Sequence, residues 1–129
     1  GWGGRMKVAV TRGCIPLIIQ DGIKVEWEEQ LPVHDYAVRY PLWMAHKTDK
    51  LLHWYMRTGR VAKMQANLQC AWRMHWWHRP HGRAFEVTMC ALKRRLLGKP
   101  GVIPVDWKAC ALDCGDGKWV PLKDTYNNV

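Results

Sequence analysis

The chain opens with period-two text. Met6 to Thr11 alternates apolar and polar residues, and Ile15 to Gln20 is a β-branched apolar run, so both read as strands. Asp21-Gly22 follows, a pair that supplies the positive φ angles of a type I′ turn. Beyond it Ile23, Val25 and Trp27 share one face while Lys24, Glu26 and Glu28 share the other, which predicts a β-hairpin with one face buried and one wet. A connecting stretch lies between Pro32 and Pro41, after which the period becomes helical.

Thr48-Asp49 can cap a short helix with Leu51, Leu52, Tyr55 and Met56 as its apolar positions, closed by Gly59. From about Arg60 to Trp77, the residues Val61, Met64, Leu68, Ala71, Trp72 and His75 form a stripe at spacings of three and four, and Pro80 stops the helix. Ala84 to Leu97 fits both periods. Phe85, Val87, Met89 and Ala91 alternate like a strand, whereas Phe85, Met89, Leu92 and Leu96 form a helical stripe. The ending decides for a helix: Arg94 and Arg95 occupy the last turn, Gly98 suits a left-handed cap, and Pro100 follows. Towards the end, Trp107 to Leu112 and Lys118 to Leu122 flank the turn-rich Cys114-Gly115-Asp116-Gly117, which predicts a second hairpin before a polar tail. The expected architecture is α+β, one small domain over residues 1–129: β-rich from 1 to 35, helical and basic from 36 to 105, hairpin and tail from 106 to 129.

At 129 residues the chain has room for one modest core. Its longest apolar run, Cys14 to Ile19, is too short for a transmembrane helix. Serine does not occur, which removes Ser-based triads and nucleophile elbows. Tryptophan occurs nine times. The formal net charge is +9, and it is segregated: residues 36–105 hold thirteen Lys and Arg against Asp49 and Glu86, while each flank carries one more acidic than basic group. Five of the nine Trp and five of the six His lie in the same middle block. Such a field draws an anionic partner, whether RNA, an anionic lipid surface or the acidic face of a protein.

Five cysteines, Cys14, Cys70, Cys90, Cys110 and Cys114, follow no familiar disulfide spacing, so reduced thiols and a reducing compartment are expected. Cys110 and Cys114 read as small buried residues. The first Met is Met6, and a removed transit peptide ahead of Gly1 would suit an organellar protein.

Little catalytic grammar is present. His75, His78 and His81, with Cys70 and Cys90, are residue types that zinc accepts, but their spacing fits no zinc motif and Pro80 interrupts the helix between them. No metal or cofactor is expected. Glu26, Glu28 and Glu29 fit a solvated strand face better than an acid–base pair, and no Cys–His pair stands out as a nucleophile. Trp27, Trp54 and Trp72 fit buried faces. Trp76 and Trp77 are neighbours, so on a helix they cannot both point inward, and one should be exposed or covered by a partner.

The candidate partner-binding set is therefore Arg57, Arg60, Lys63, Arg73, Trp76, Trp77, His78, Arg79, Arg83, Arg94 and Arg95, a basic aromatic surface with the composition of an interface hot spot. The expected function is a non-catalytic accessory subunit of a large multi-protein assembly, docked to other subunits and to anionic lipid. The expected setting is a peripheral position on a mitochondrial inner-membrane, respiratory-chain complex, on the matrix side or at the membrane periphery. The alternative is an organellar ribosomal protein that binds RNA through the same segment. A small enzyme using Cys or His chemistry has the least support.

Overall fold

The computed structural model describes residues 4–103, 114 and 119–122. Four helices, α1 (Gly4–Thr11), α2 (Thr48–Arg57), α3 (Arg60–His75) and α4 (Ala84–Leu96), accompany a sheet of two very short strands, β1 (Leu17–Ile18) and β2 (Val38–Arg39). The architecture is α+β. Helix α3 is the centre, with α1, α2, α4 and the 3₁₀ turn Val33–Asp35 all packed on it. It buries Met64, Leu68, Ala71 and His75 of the expected stripe, and adds Asn67, Cys70 and Met74. Gly59, at φ 68°, separates α2 from α3, and Gly98, at φ 68°, follows α4; both glycines stand where the sequence places a stop.

The N-terminal hairpin is not formed. The stretch from Met6 to Thr11 is part of α1: Met6 and Val10, four apart, are both buried, while Val8, which the alternation pairs with them, is exposed. The segment after Asp21-Gly22 is drawn aside by Arg39. Its guanidinium donates to the Gln20 carbonyl at 2.6 Å, the Ile23 carbonyl at 3.0 Å and both Glu28 carboxylate oxygens at 2.6 Å. Glu28 in turn accepts the Val25 N–H at 2.8 Å, Trp27 takes a positive φ of 65°, and residues 26–30 wind into turns. Partial burial works against the Glu28 carboxylate, but the Arg39 and Val25 hydrogen bonds outweigh it and hold its pKa below the ordinary value. The sheet instead pairs β1 with β2 in parallel, Leu17 beside Val38 and Ile18 beside Arg39. Val38 N–H donates to the Pro16 carbonyl and Tyr40 N–H to that of Ile18. The expected C-terminal hairpin lies outside the described residues.

The main core gathers Met6 and Val10 of α1, Leu31, Val33 and Tyr36, the inner face of α3, Val87 and Cys90 of α4, and Ile103 and Trp119. A second cluster joins Val38, Tyr40, Met44, Leu51 and Met64. Through the main core runs a polar clamp. The buried Asp35 carboxylate accepts the Trp119 indole N–H at 2.8 Å and the Leu122 N–H at 2.8 Å. Asn67, fully buried, donates to the carbonyls of Asp35 and Val120 and accepts the Val120 N–H.

The reduced-thiol expectation is overturned. Cys70 and Cys114 form a disulfide across a sequence separation of 44, and Cys90 is disulfide-bonded as well, while Cys14 is free and exposed. The spacing conceals the bond because its geometry is made by the clamp, which delivers the chain to α3 one turn from Asn67.

Two outcomes follow from the clamp and the bond. Removing the Asp35 carboxylate leaves the Trp119 and Leu122 donors buried without an acceptor, so Asp35→Ala should cost about 3 kcal/mol in urea unfolding. Adding Trp119→Phe should cost less than the sum of the single changes. Replacing Cys70 and Cys114 together by Ala should lower stability by about 3 kcal/mol through the released loop, and peptide mapping of the unreduced protein should recover the linked pair.

Candidate functional site

The candidate residues do not form one surface. Arg57 and Lys63 are exposed near the α2–α3 junction. Arg60 lies 4.2 Å from the centroid of the Trp54 ring, and Arg73 lies 5.8 Å from that of Trp72, both cation–π contacts within the fold. Arg94 turns to the half-buried flank of α4 and reaches the Val102 carbonyl at 3.5 Å. Trp76, Trp77, His78, Arg79 and Arg83 are grouped in the loop between α3 and α4, and Arg95 stands exposed at the far end of α4.

That loop is tightly built. Helix α3 ends at His75, two residues earlier than expected, and Trp76 is extended. Gly82 N–H donates to the His78 carbonyl, Arg83 N–H to that of Arg73, and Ala84 N–H to that of Trp76. A Cβ at Gly82 would run into the Trp76 carbonyl and lie 2.7 Å from that of His78, so only glycine fits. Trp76 is half-buried, with the Lys7 ammonium 5.5 Å from its ring centroid and the His78 ring 5.2 Å away. Trp77, His78, Arg79 and His81 are left facing solvent, the exposed indole that the adjacent pair required. Arg79 lies 3.7 Å from Glu86 in the first turn of α4, which ties the loop to that helix.

Helix α4 carries the feature that sequence reasoning missed. At about 100° per residue, Phe85, Met89, Leu92 and Leu96 fall within an arc of about 60°, and all four are exposed, Leu96 to 89%. Ala84, Val87 and Cys90 lie on the opposite side and are buried. The helix thus presents its small residues to the core and its large apolar ones to solvent. Lys93 and Arg95, both exposed, border the stripe on either side, and Leu97 and Lys99 extend it past the helix end. Flanking cations border core-facing stripes as well, so only the burial of Ala84, Val87 and Cys90 shows which side of α4 faces the core. A recess of about 170 Å³ adjoins it, lined by Trp27, Gln30, Thr88, Leu92 and Arg95 among others, and the buried Trp27 indole N–H has no acceptor among the described residues.

The strongest catalytic-looking alternative is buried. His75 Nε2 lies 3.1 Å from the Tyr36 hydroxyl, and its Nδ1 lies 3.7 Å from a Glu26 carboxylate oxygen. Burial, with the nearby Glu26 and Asp35 charges, pushes the Tyr36 phenol far up, so its hydroxyl keeps its proton beside the imidazole. Glu26 borders a wide groove of about 1170 Å³ between α1, β1 and residues 23–26. Tyr36 and His75 are fully buried, and Glu26 is the member of this line that borders the groove. Among the described residues no three His, Cys, Asp or Glu gather as a metal site, and Cys70 and Cys90, two of the zinc-capable residues, are held in disulfides.

Comparison of the chain with protein-family models, with curated proteins and with solved structures finds no match.

The loop geometry sets a test. Gly82→Ala should lower the thermal midpoint by the equivalent of more than about 2 kcal/mol, since backbone oxygens must move. Gly98→Ala, where space is open and only the positive φ resists, should cost about 1 kcal/mol.

Proposed function

We propose that this protein is a non-catalytic docking subunit of a larger assembly, peripheral to a membrane, which engages its surroundings through the Trp77–Arg83 loop and the outer face of α4. The observation that carries the reading is the inversion of α4, whose large apolar side chains point away from the core. A row of four such chains bordered by cations is covered at little cost and is a liability when left in water. The loop supports the same reading, because it holds an exposed indole beside histidine and arginine on a backbone fixed by Gly82.

A mitochondrial inner-membrane periphery remains part of the proposal. The Cys70–Cys114 bond favours a side where disulfides persist over a reducing matrix. No helix among the described residues is long and apolar enough to cross a membrane, so attachment would be by a surface. The ribosomal-protein alternative draws on the cation count, and several of those cations are engaged within the fold: Arg39 with Glu28, Arg60 on Trp54, Arg73 on Trp72, Arg79 with Glu86. The reach of the basic block towards RNA is smaller than its composition suggests.

Met89→Asp/Leu92→Asp alters only exposed positions and should leave the thermal midpoint within about 0.5 kcal/mol of equivalence. On native gels of extracts from cells making the protein, the unaltered chain should run in a high-mass particle and the variant as a free monomer. An unaltered chain that runs as a free monomer overturns the reading.

A further inference from the structure

Resting on the docking reading, we propose that the outer face of α4 is an interfacial helix that lies in the headgroup plane of an anionic lipid bilayer. Three properties of the face select this occupant over an acidic groove on a protein. The first is its shape. Phe85, Met89, Leu92 and Leu96 stand in one convex row about 17 Å long at about 1.5 Å per residue, and a soft apolar medium covers a convex row without a preformed cleft.

The second property is breadth beyond the helix. Leu97, just past the end of α4, is exposed at 63% beside Leu96 at 89%. The apolar surface therefore continues beyond the helical row. Val102, a few residues on, is exposed as well.

The third property is charge. Lys93 and Arg95 flank the row on opposite edges and Lys99 follows its end, all three exposed, so long cationic chains can rise from either side to phosphates while their methylenes stay in the apolar layer. The acidic residue of α4, Glu86, is half-buried on the Lys93 side and lies 3.7 Å from Arg79, and the exposed Glu29 is close enough to Arg95 to feel its charge. A recess lined by Trp27, Leu92 and Arg95 among others adjoins the row. Trp77, exposed in the loop ahead of Phe85, is an interfacial residue type at the other end of the row.

The test uses the full oxidised chain and extruded vesicles of phosphatidylcholine, with and without phosphatidylglycerol, read by co-sedimentation. The unaltered protein should bind the anionic vesicles and bind phosphatidylcholine alone at least about tenfold more weakly. Lys93→Gln/Arg95→Gln should weaken anionic binding about thirtyfold, since each cation near the surface contributes about 1 kcal/mol. Met89→Asp/Leu92→Asp should abolish it, and circular dichroism should show both variants folded. Failure of the unaltered chain to bind either vesicle overturns the lipid proposal, and so does equal binding to both. Where vesicles fail but Met89→Asp/Leu92→Asp still releases the protein from its native particle, the docking reading stands with a protein as the occupant. Where both experiments fail, both readings fall.

Discussion

The buried carboxylate of Asp35 is the constraint that orders the rest of the molecule. A carboxylate in a core must find donors, and this one takes them from Trp119 and Leu122, more than eighty residues away in sequence. Asn67 completes the arrangement by bridging the Asp35 carbonyl to both backbone groups of Val120. Three distant parts of the chain thereby meet on one turn of α3. Cys70 lies three residues beyond Asn67 and so on the same face, which brings it to Cys114. Polar satisfaction and covalent closure act on the same loop, so neither has to hold it alone.

The consequence for α4 is steric. Tyr36 and Trp119 stand edge to face at 6.0 Å and share one core cluster with Met74, Leu68 and Ile103. Helix α4 enters this cluster with the small Val87 and Cys90, and Ala84 is buried on the same side. The larger half of the amphipathic pattern then has nowhere to go except outward. The apolar outer face of α4 is thus the counterpart of its small-residue inner face.

In α2 and α3 period and punctuation agree, and in α4, where the period was ambiguous, punctuation decided: Gly59 and Gly98 stand where the left-handed stops occur, and the α3 stripe is buried nearly as written. Helix α1 was misread because Met6, Val8 and Val10 satisfy period two while Met6 and Val10 alone satisfy the helix, and only packing on α3 distinguishes the two. The Asp-Gly turn misled for another reason. Arg39 competes for the carbonyls and the carboxylate of residues 20–28 from outside any local window. The disulfide hid behind a 44-residue separation, and cation count overstated the site because sequence does not reveal which guanidinium groups rest on a neighbouring Trp. The direction of the α4 stripe was not readable, because charged residues border inward-facing stripes too and periodicity alone reports a face without saying which way it looks.

An outward apolar row adds little to the stability of the free chain, and each half-exposed member gains on the order of 1 kcal/mol when covered. Association usually forfeits part of such a gain in ordering the surface that binds. On the docking reading that loss would be small, because the scaffold beneath the row is already fixed: α4 is held on α3 by buried Val87 and Cys90, α3 by the Asp35 clamp and the Cys70 bond, and the preceding loop by Gly82. A rigid face of modest area can therefore bind with more of its apolar gain intact than a flexible segment of the same composition, which would fold only on contact. The polar clamp at the centre and the apolar row at the surface are in this sense one device, the first setting the geometry that the second presents.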